Sequence, residues 1–179
     1  MVDLAQAFVD QSRRFLLAEY LPKIERCVHA LSDEDVWWRP NDASNSVGNL
    51  LLHLSGNVRQ WIVSGVGGAP DARRRQQEFD ARTPMATTAL LARLRETLED
   101  ADRVLAELDG DRLLEPCRIQ GLDVTVLEAV YHVVEHFSTH VGQIIYVTKL
   151  RTGRDLSFYE MAEDGSVRRG WLGGPTVPG

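Results

Sequence analysis

With 179 residues, 44% of them hydrophobic and 26% charged, the chain has the length of one domain and enough apolar side chains for a core. Its 20 basic against 26 acidic residues leave a net charge of −6, which argues against a surface built for nucleic-acid phosphates but leaves small anionic ligands open. Two cysteines, Cys27 and Cys117, make no disulfide framework, and no apolar run approaches the roughly 18–20 residues of a membrane span. No cationic stretch precedes an apolar one in the first residues, so the expectation is a soluble cytoplasmic protein with neither nucleic-acid nor membrane partners.

The first helical segment runs from about Val2 to Leu31. Phe8, Phe15, Leu16, Tyr20, Ile24, Val28 and Leu31 recur at threes and fours on one face, and Pro22 interrupts the run with an expected kink. Ser32-Asp33-Glu34-Asp35 offers a capping box for a short turn of helix carrying Trp37 and Trp38, and Arg39-Pro40-Asn41-Asp42 reads as loop. A second long helix is expected from Ser46 to Ser64. Its run Leu50-Leu51-Leu52-His53-Leu54 is apolar on several faces, which places it inside a bundle. Residues 65–82 read as a polar, arginine-rich loop, with Arg73, Arg74 and Arg75 solvated. Thr83-Pro84 then reads as the cap and first residue of a third helix that reaches Leu108. Residues 113–124 look extended or irregular, with a turn at Gln120-Gly121-Leu122-Asp123. A fourth helix follows from Thr125 to Thr152, stopped by Gly153. Four apolar stripes are most simply buried in an all-α four-helix bundle over residues 1–160. Residues 161–179 form a glycine- and proline-rich tail packed loosely on the bundle or extending from it, with Leu156-Ser157-Phe158-Tyr159 against the body and the last residues loose.

Of the five histidines, His132, His136 and His140 lie four residues apart on the last helix. Random placement of five histidines would give only about 0.1 pairs at this spacing, so two such pairs ask for a cause. Residues four apart share a helical face, and His136 and His140 can aim at one ion. His53, flanked by leucines and expected to point inward, is the best third ligand, because a buried imidazole without a partner is costly. Three histidines and an open fourth position suit a catalytic zinc-type site, and the same donors suit nickel, iron or copper. The competing reading makes these histidines ordinary hydrogen-bonded residues. His132 is expected to line the site or support a ligand, and His29 to be a surface residue. His-Glu-x-x-His is absent, and neither Glu135 nor Glu128 has the spacing of a di-iron bundle.

Two stretches carry a family resemblance. Ser46-Val47-Gly48-Asn49-Leu50-Leu51-Leu52-His53-Leu54-Ser55-Gly56-Asn57, followed by Trp61, resembles the second-helix motif of DinB-like proteins. His132-Val133-Val134-Glu135-His136-Phe137-Ser138-Thr139-His140-Val141-Gly142-Gln143-Ile144 resembles their last-helix motif, and Arg151-Thr152-Gly153-Arg154-Asp155-Leu156-Ser157-Phe158-Tyr159 looks like the end of one uncharacterised branch. The resemblance implies up-down-down-up wiring of the bundle, a homodimer, and a divalent metal (nickel, zinc or iron) on His53, His136 and His140. Characterised relatives include bacillithiol S-transferases and mycothiol-dependent maleylpyruvate isomerase, which implies a low-molecular-weight thiol as co-substrate.

The expected function is that of a metal-dependent enzyme activating such a thiol against a small-molecule electrophile. Glu135, Asn57, Tyr131 and Gln143 are candidates to orient or protonate groups near the metal, Glu135 alternatively supporting a ligand histidine. Trp61, two turns after His53, is expected in the core rather than as a substrate platform, and Arg73, Arg74 and Arg75 could attract an acidic thiol. A hydrolase using metal-bound water and a non-enzymatic metal-binding or stress-response protein are the alternatives.

Overall fold

A computed structural model describes residues 3–82 and 84–170. Leu4–Arg14, a π-helical stretch Phe15–Tyr20 and Leu21–His29 follow one another without a break and form α1. The π stretch ends two residues before Pro22, and the helix continues through the proline. The wider turn lies just before the ring, where a regular α-turn would crowd it against the preceding carbonyls. α2 is the short helix Asp33–Trp37, capped by Ser32, whose hydroxyl accepts from the Asp35 amide and donates to the Asp35 carboxylate. The expected reciprocal bond from Asp35 to the cap backbone is thus replaced by one from the cap hydroxyl.

α3 joins Val47–Val58 to the π-helical Arg59–Val66 and carries a complete capping box between Ser46 and Asn49. The segment expected to be open loop contains a further helix, α4, over Arg75–Asp80. α5 spans Thr87–Ala106, starting three residues later than Pro84; its cap position is Ala86, and Thr83 lies outside the described residues. A 3₁₀ turn Gly110–Leu114 leads into the hairpin of β1 (Pro116–Ile119) and β2 (Leu122–Thr125), so the extended segment before the last helix is an antiparallel ribbon. α6, Val126–Thr152, starts in a capping box between Thr125 and Glu128 and ends at Gly153. There φ is +64°, a conformation glycine adopts at little cost.

α1, α3, α5 and α6 are the four long helices of an all-α bundle. α1 and α3 each pack against both α5 and α6, so the first two long helices of the chain face each other across the bundle. Leu16, Ile24 and Val28 of α1, Leu90, Leu94 and Leu98 of α5, and Val133, Phe137 and Ile144 of α6 fill the core. Leu156 and Phe158 pack on the body as expected. Beyond them, β3 (Tyr159–Met161) and β4 (Val167–Arg169) form a hairpin absent from the sequence reading. It is held by Arg26, whose guanidinium donates to the carbonyls of Leu156, Ser157 and Gly170. The expectation of a loose end, at 171–179, lies outside the described residues. Among the described residues no helix is long and apolar enough to cross a membrane.

Candidate metal centre

Every residue of Val47–Val58 is buried, so the polar side chains on this stretch must find partners inside the bundle. Ser55 bonds back to the Leu51 carbonyl at 2.9 Å. His53, 3% exposed, finds its partners on both sides of its ring. Nδ1 lies 3.0 Å from Oε2 of Glu78, and Nε2 lies 2.9 Å from Nε2 of His136 on α6. A proton on Nδ1, donated to the carboxylate, leaves the Nε2 lone pair facing α6.

On α6 the histidines, four residues apart, face α3. The ring centroid of His140 lies 4.4 Å from that of His136 and 5.1 Å from that of His53. Its Nδ1 lies 2.7 Å from Oε1 of Gln143, one turn on, so this ring too donates from Nδ1 and keeps Nε2 free. One nitrogen each from His53, His136 and His140 can be chosen so that all three lie within 4.8 Å of one another. Among the described residues no fourth histidine, cysteine or carboxylate joins that group. Burial, and then the nearby His140, His53 and His132 rings and Arg73, push the His136 pKa down to about 3. Burial also lowers His140, against the opposing Gln143 hydrogen bond. Both rings are therefore neutral near pH 7, the form that offers a lone pair to a cation.

The group that orients His53 comes from the segment between α3 and α5. Glu78 on α4 is buried and is held at both oxygens by Arg73, Nε to Oε1 at 2.8 Å and Nη2 to Oε2 at 2.8 Å. Burial pushes the Glu78 carboxyl up, but hydrogen bonds from Arg73 and His53 and the Arg73 charge outweigh it. The net shift is downward and the group stays ionised. Arg73 also reaches Gln60 at 2.9 Å and approaches His53 Nδ1 at 3.1 Å. Asn49 fixes the backbone of this segment: besides capping α3, its Nδ2 donates to the carbonyls of Glu78 at 2.7 Å and Ala81 at 3.1 Å. Close approach is possible because residue 56 is glycine; a Cβ there would meet Glu78 Oε1 at 2.0 Å and Arg73 Nε at 2.9 Å. Phe79 covers His53 from the same helix, with ring centroids 4.6 Å apart.

The structure therefore brings His53, His136 and His140 together, and this donor set fits a divalent cation. Three neutral imidazoles converge, and two are held at their second nitrogen by an oxygen acceptor, the arrangement that orients metal-binding histidines. His132 lies one turn before His136 and stacks on it at 5.3 Å. It also packs on the buried Trp61 at 4.1 Å, and Nε2 is 3.4 Å from Asn57 Nδ2. Asn57 is thus beside the cluster, with Oδ1 buried and unpaired. Gln143 is exposed but touches His140. Glu135, next to His136, is exposed, and its charge raises the pKa of His132 and of His140 against their burial. Tyr131 is 61% exposed, and His29 is exposed on α1.

The arginine run departs from expectation. Arg74 and Arg75 are exposed, but the Arg73 side chain is 5% exposed and belongs to the site. Glu78 is the other functional residue that the sequence reading missed. A lone glutamate in a polar stretch carries no periodic signal, and the short α4 offers too few residues to reveal a buried face.

The sequence matches the family model described as "Protein of unknown function (DUF1572)" over residues 3–164. No curated protein matches it. Among solved structures it is similar to a DinB-like protein from Bacillus cereus ATCC 10987, at TM-score 0.60 and 16% identity over 79% of this chain and 93% of that one. It is also similar to a conserved protein from Enterococcus faecalis, at TM-score 0.61 and 14% identity over 84% of this chain and 96% of that one. These likenesses are of fold. With the family model spanning nearly the whole bundle, the chain belongs to the DUF1572 family and has the DinB-like fold.

Proposed function

We propose that this protein is a metal-dependent enzyme that holds one divalent cation, nickel, zinc or iron, on His53, His136 and His140, and acts on a small molecule with a low-molecular-weight thiol as co-substrate. The observation that carries the reading is the convergence of three imidazole nitrogens within 4.8 Å, with no fourth protein donor among the described residues. A closed structural site uses four protein ligands, whereas a three-ligand site leaves a position for water or substrate. When bound, the metal supplies Lewis acidity, lowering the pKa of a coordinated thiol or water.

The residues divide the remaining work. Glu78 and Gln143 hold the Nδ1 protons of His53 and His140 and keep their Nε2 lone pairs turned inward. A cleft of about 580 Å³ lined by Pro40, Asn45, Thr139, Gln143 and Tyr146 meets the site at Gln143, a volume suited to a small organic substrate. Asn57 and His132 lie on the other side of His136 and do not line that cleft.

The test is elemental analysis of chelator-free protein beside His136→Ala, followed by turnover of electrophilic substrates with and without thiol. About one metal per chain, absent from the variant, with thiol-dependent turnover, is the expected result. Thiol-independent turnover would replace the transferase reading by hydrolysis. A metal-free native protein that also refuses reconstitution would overturn the site.

A further inference from the structure

A second cavity, of about 450 Å³, lies between α3, α4, α5 and the segment 71–74, whereas the histidines lie between α3 and α6. It shares no lining residue with the cleft at Gln143. Four of its lining side chains are arginines, Arg59, Arg73, Arg74 and Arg93, and two are carboxylates, Asp71 and Glu78. In a chain of net charge −6 this is a local excess of positive charge. The carboxylates are already engaged. Glu78 is bound by Arg73 and His53, and Asp71 accepts from Gln60 at 2.7 Å and from the Arg73 amide at 2.9 Å. Arg59 shares Asp100 at 3.3 Å. Among the described residues Arg74 and Arg93 have no carboxylate partner. Arg73 lines the cavity, and Glu78 and Gln60 together take three of its five N–H groups.

We propose that this cavity binds a small polyanion, a molecule bearing two or more carboxylate charges or a phosphate, and that Arg73 transmits its presence to His53. Arg74 and Arg93 converge on the anion, with Arg59 as a shared donor. Planar guanidinium groups match the paired oxygens of carboxylates and phosphates, and the cavity has the volume of a metabolite site. The second half of the proposal follows from the contacts of Arg73. Its Nη2 lies between Glu78 Oε2 at 2.8 Å and His53 Nδ1 at 3.1 Å, so an anion drawing on this guanidinium alters what Glu78 offers His53. This half rests on the metal reading; the first does not.

The experiment uses the full chain, freed of metal and dialysed, titrated calorimetrically with succinate and separately with inorganic phosphate in chloride of matched ionic strength. Saturable binding of one probe, weakened about tenfold or more in Arg74→Ala/Arg93→Ala, is the expected result. Both substitutions are at exposed positions, so the variant should keep the native melting temperature without anion. Whichever probe binds names the anion class. No saturable binding of either probe, or equal binding by the variant, overturns the pocket. His136→Ala, expected to lose the metal, should keep anion binding, which separates failure of this proposal from failure of the metal site. Metal titration with the pocket saturated should then shift the metal Kd by about fivefold or more, in the range of measured couplings between sites. An unchanged metal Kd overturns the relay through Arg73.

Discussion

The two walls of the histidine cluster are built differently. On the α3 wall His53 is 3% exposed and backed by the buried Glu78 and the buried side chain of Arg73, which reaches the half-buried Gln60, while Asn49 holds the backbone at Glu78. On the α6 wall His140 is supported by a single exposed glutamine, and Glu135 beside it faces solvent. Buried groups held by several partners resist displacement, because moving them leaves a polar atom unpaired in a low-dielectric interior. Exposed groups exchange protein for water at little cost. The α3 wall is therefore the more rigid of the two, and the α6 wall borders an open cleft at Gln143.

Substitutions sort along this contrast. The largest effect is expected for His136→Ala, which removes the ring nearest the middle of the cluster; metal content should fall from about one per chain to near zero by elemental analysis. Unaltered stoichiometry would sink the ligand assignment. Next is Glu78→Ala, which removes the carboxylate that binds the buried Arg73 guanidinium at two nitrogens. Loss of one partner of a buried ion pair typically costs about 3–5 kcal/mol, and loss of a group that orients a ligand costs about 10–100-fold in metal affinity. Chemical denaturation of metal-free protein and metal titration read the two separately, and an effect on neither would dissolve the contrast between the walls.

Gly56→Ala tests the same wall without removing a polar group. Its methyl would fall 2.0 Å from Glu78 Oε1, so the carboxylate that meets His53 must shift. An overpacking cost of about 1–3 kcal/mol is expected, together with weaker metal binding. Normal metal affinity in this variant would mean that Glu78 is not needed to place His53. Gln143→Ala, on the open wall, should change stability by less than about 0.5 kcal/mol and metal affinity by no more than about tenfold. A loss as deep as that of Glu78→Ala would show that the exposed wall positions the ion as firmly as the buried one. Smallest of all, His29→Ala on the outer face of α1 should move stability by less than about 0.5 kcal/mol and leave metal content untouched.

Much of the frame was legible in the residues because it is local. Ser46 with Asn49, Thr125 with Glu128, and Gly153 mark the ends of α3 and α6 through bonds that span three or four residues. The spacing of His132, His136 and His140 puts them on one face of α6 wherever that helix packs. The inward turn of His53 followed from its leucine neighbours. Expectation failed where a segment's fate depends on what folds over it. Residues 71–80 read as solvated loop, yet Asn49 pins this stretch onto α3 and buries Arg73 and Glu78.

By itself the sequence determined the four long helices, the ends of α3 and α6 and the face on which each histidine lies, since periodicity and capping act within a few residues. Tertiary packing alone decided that His53 meets His136 across 83 positions of chain, that Glu78 rather than Glu135 supports the cluster, and that four arginines share one cavity. Those contacts join segments distant in the chain. Burial, which converts a weak surface charge into a strong positioning group, exists only once the segments have packed.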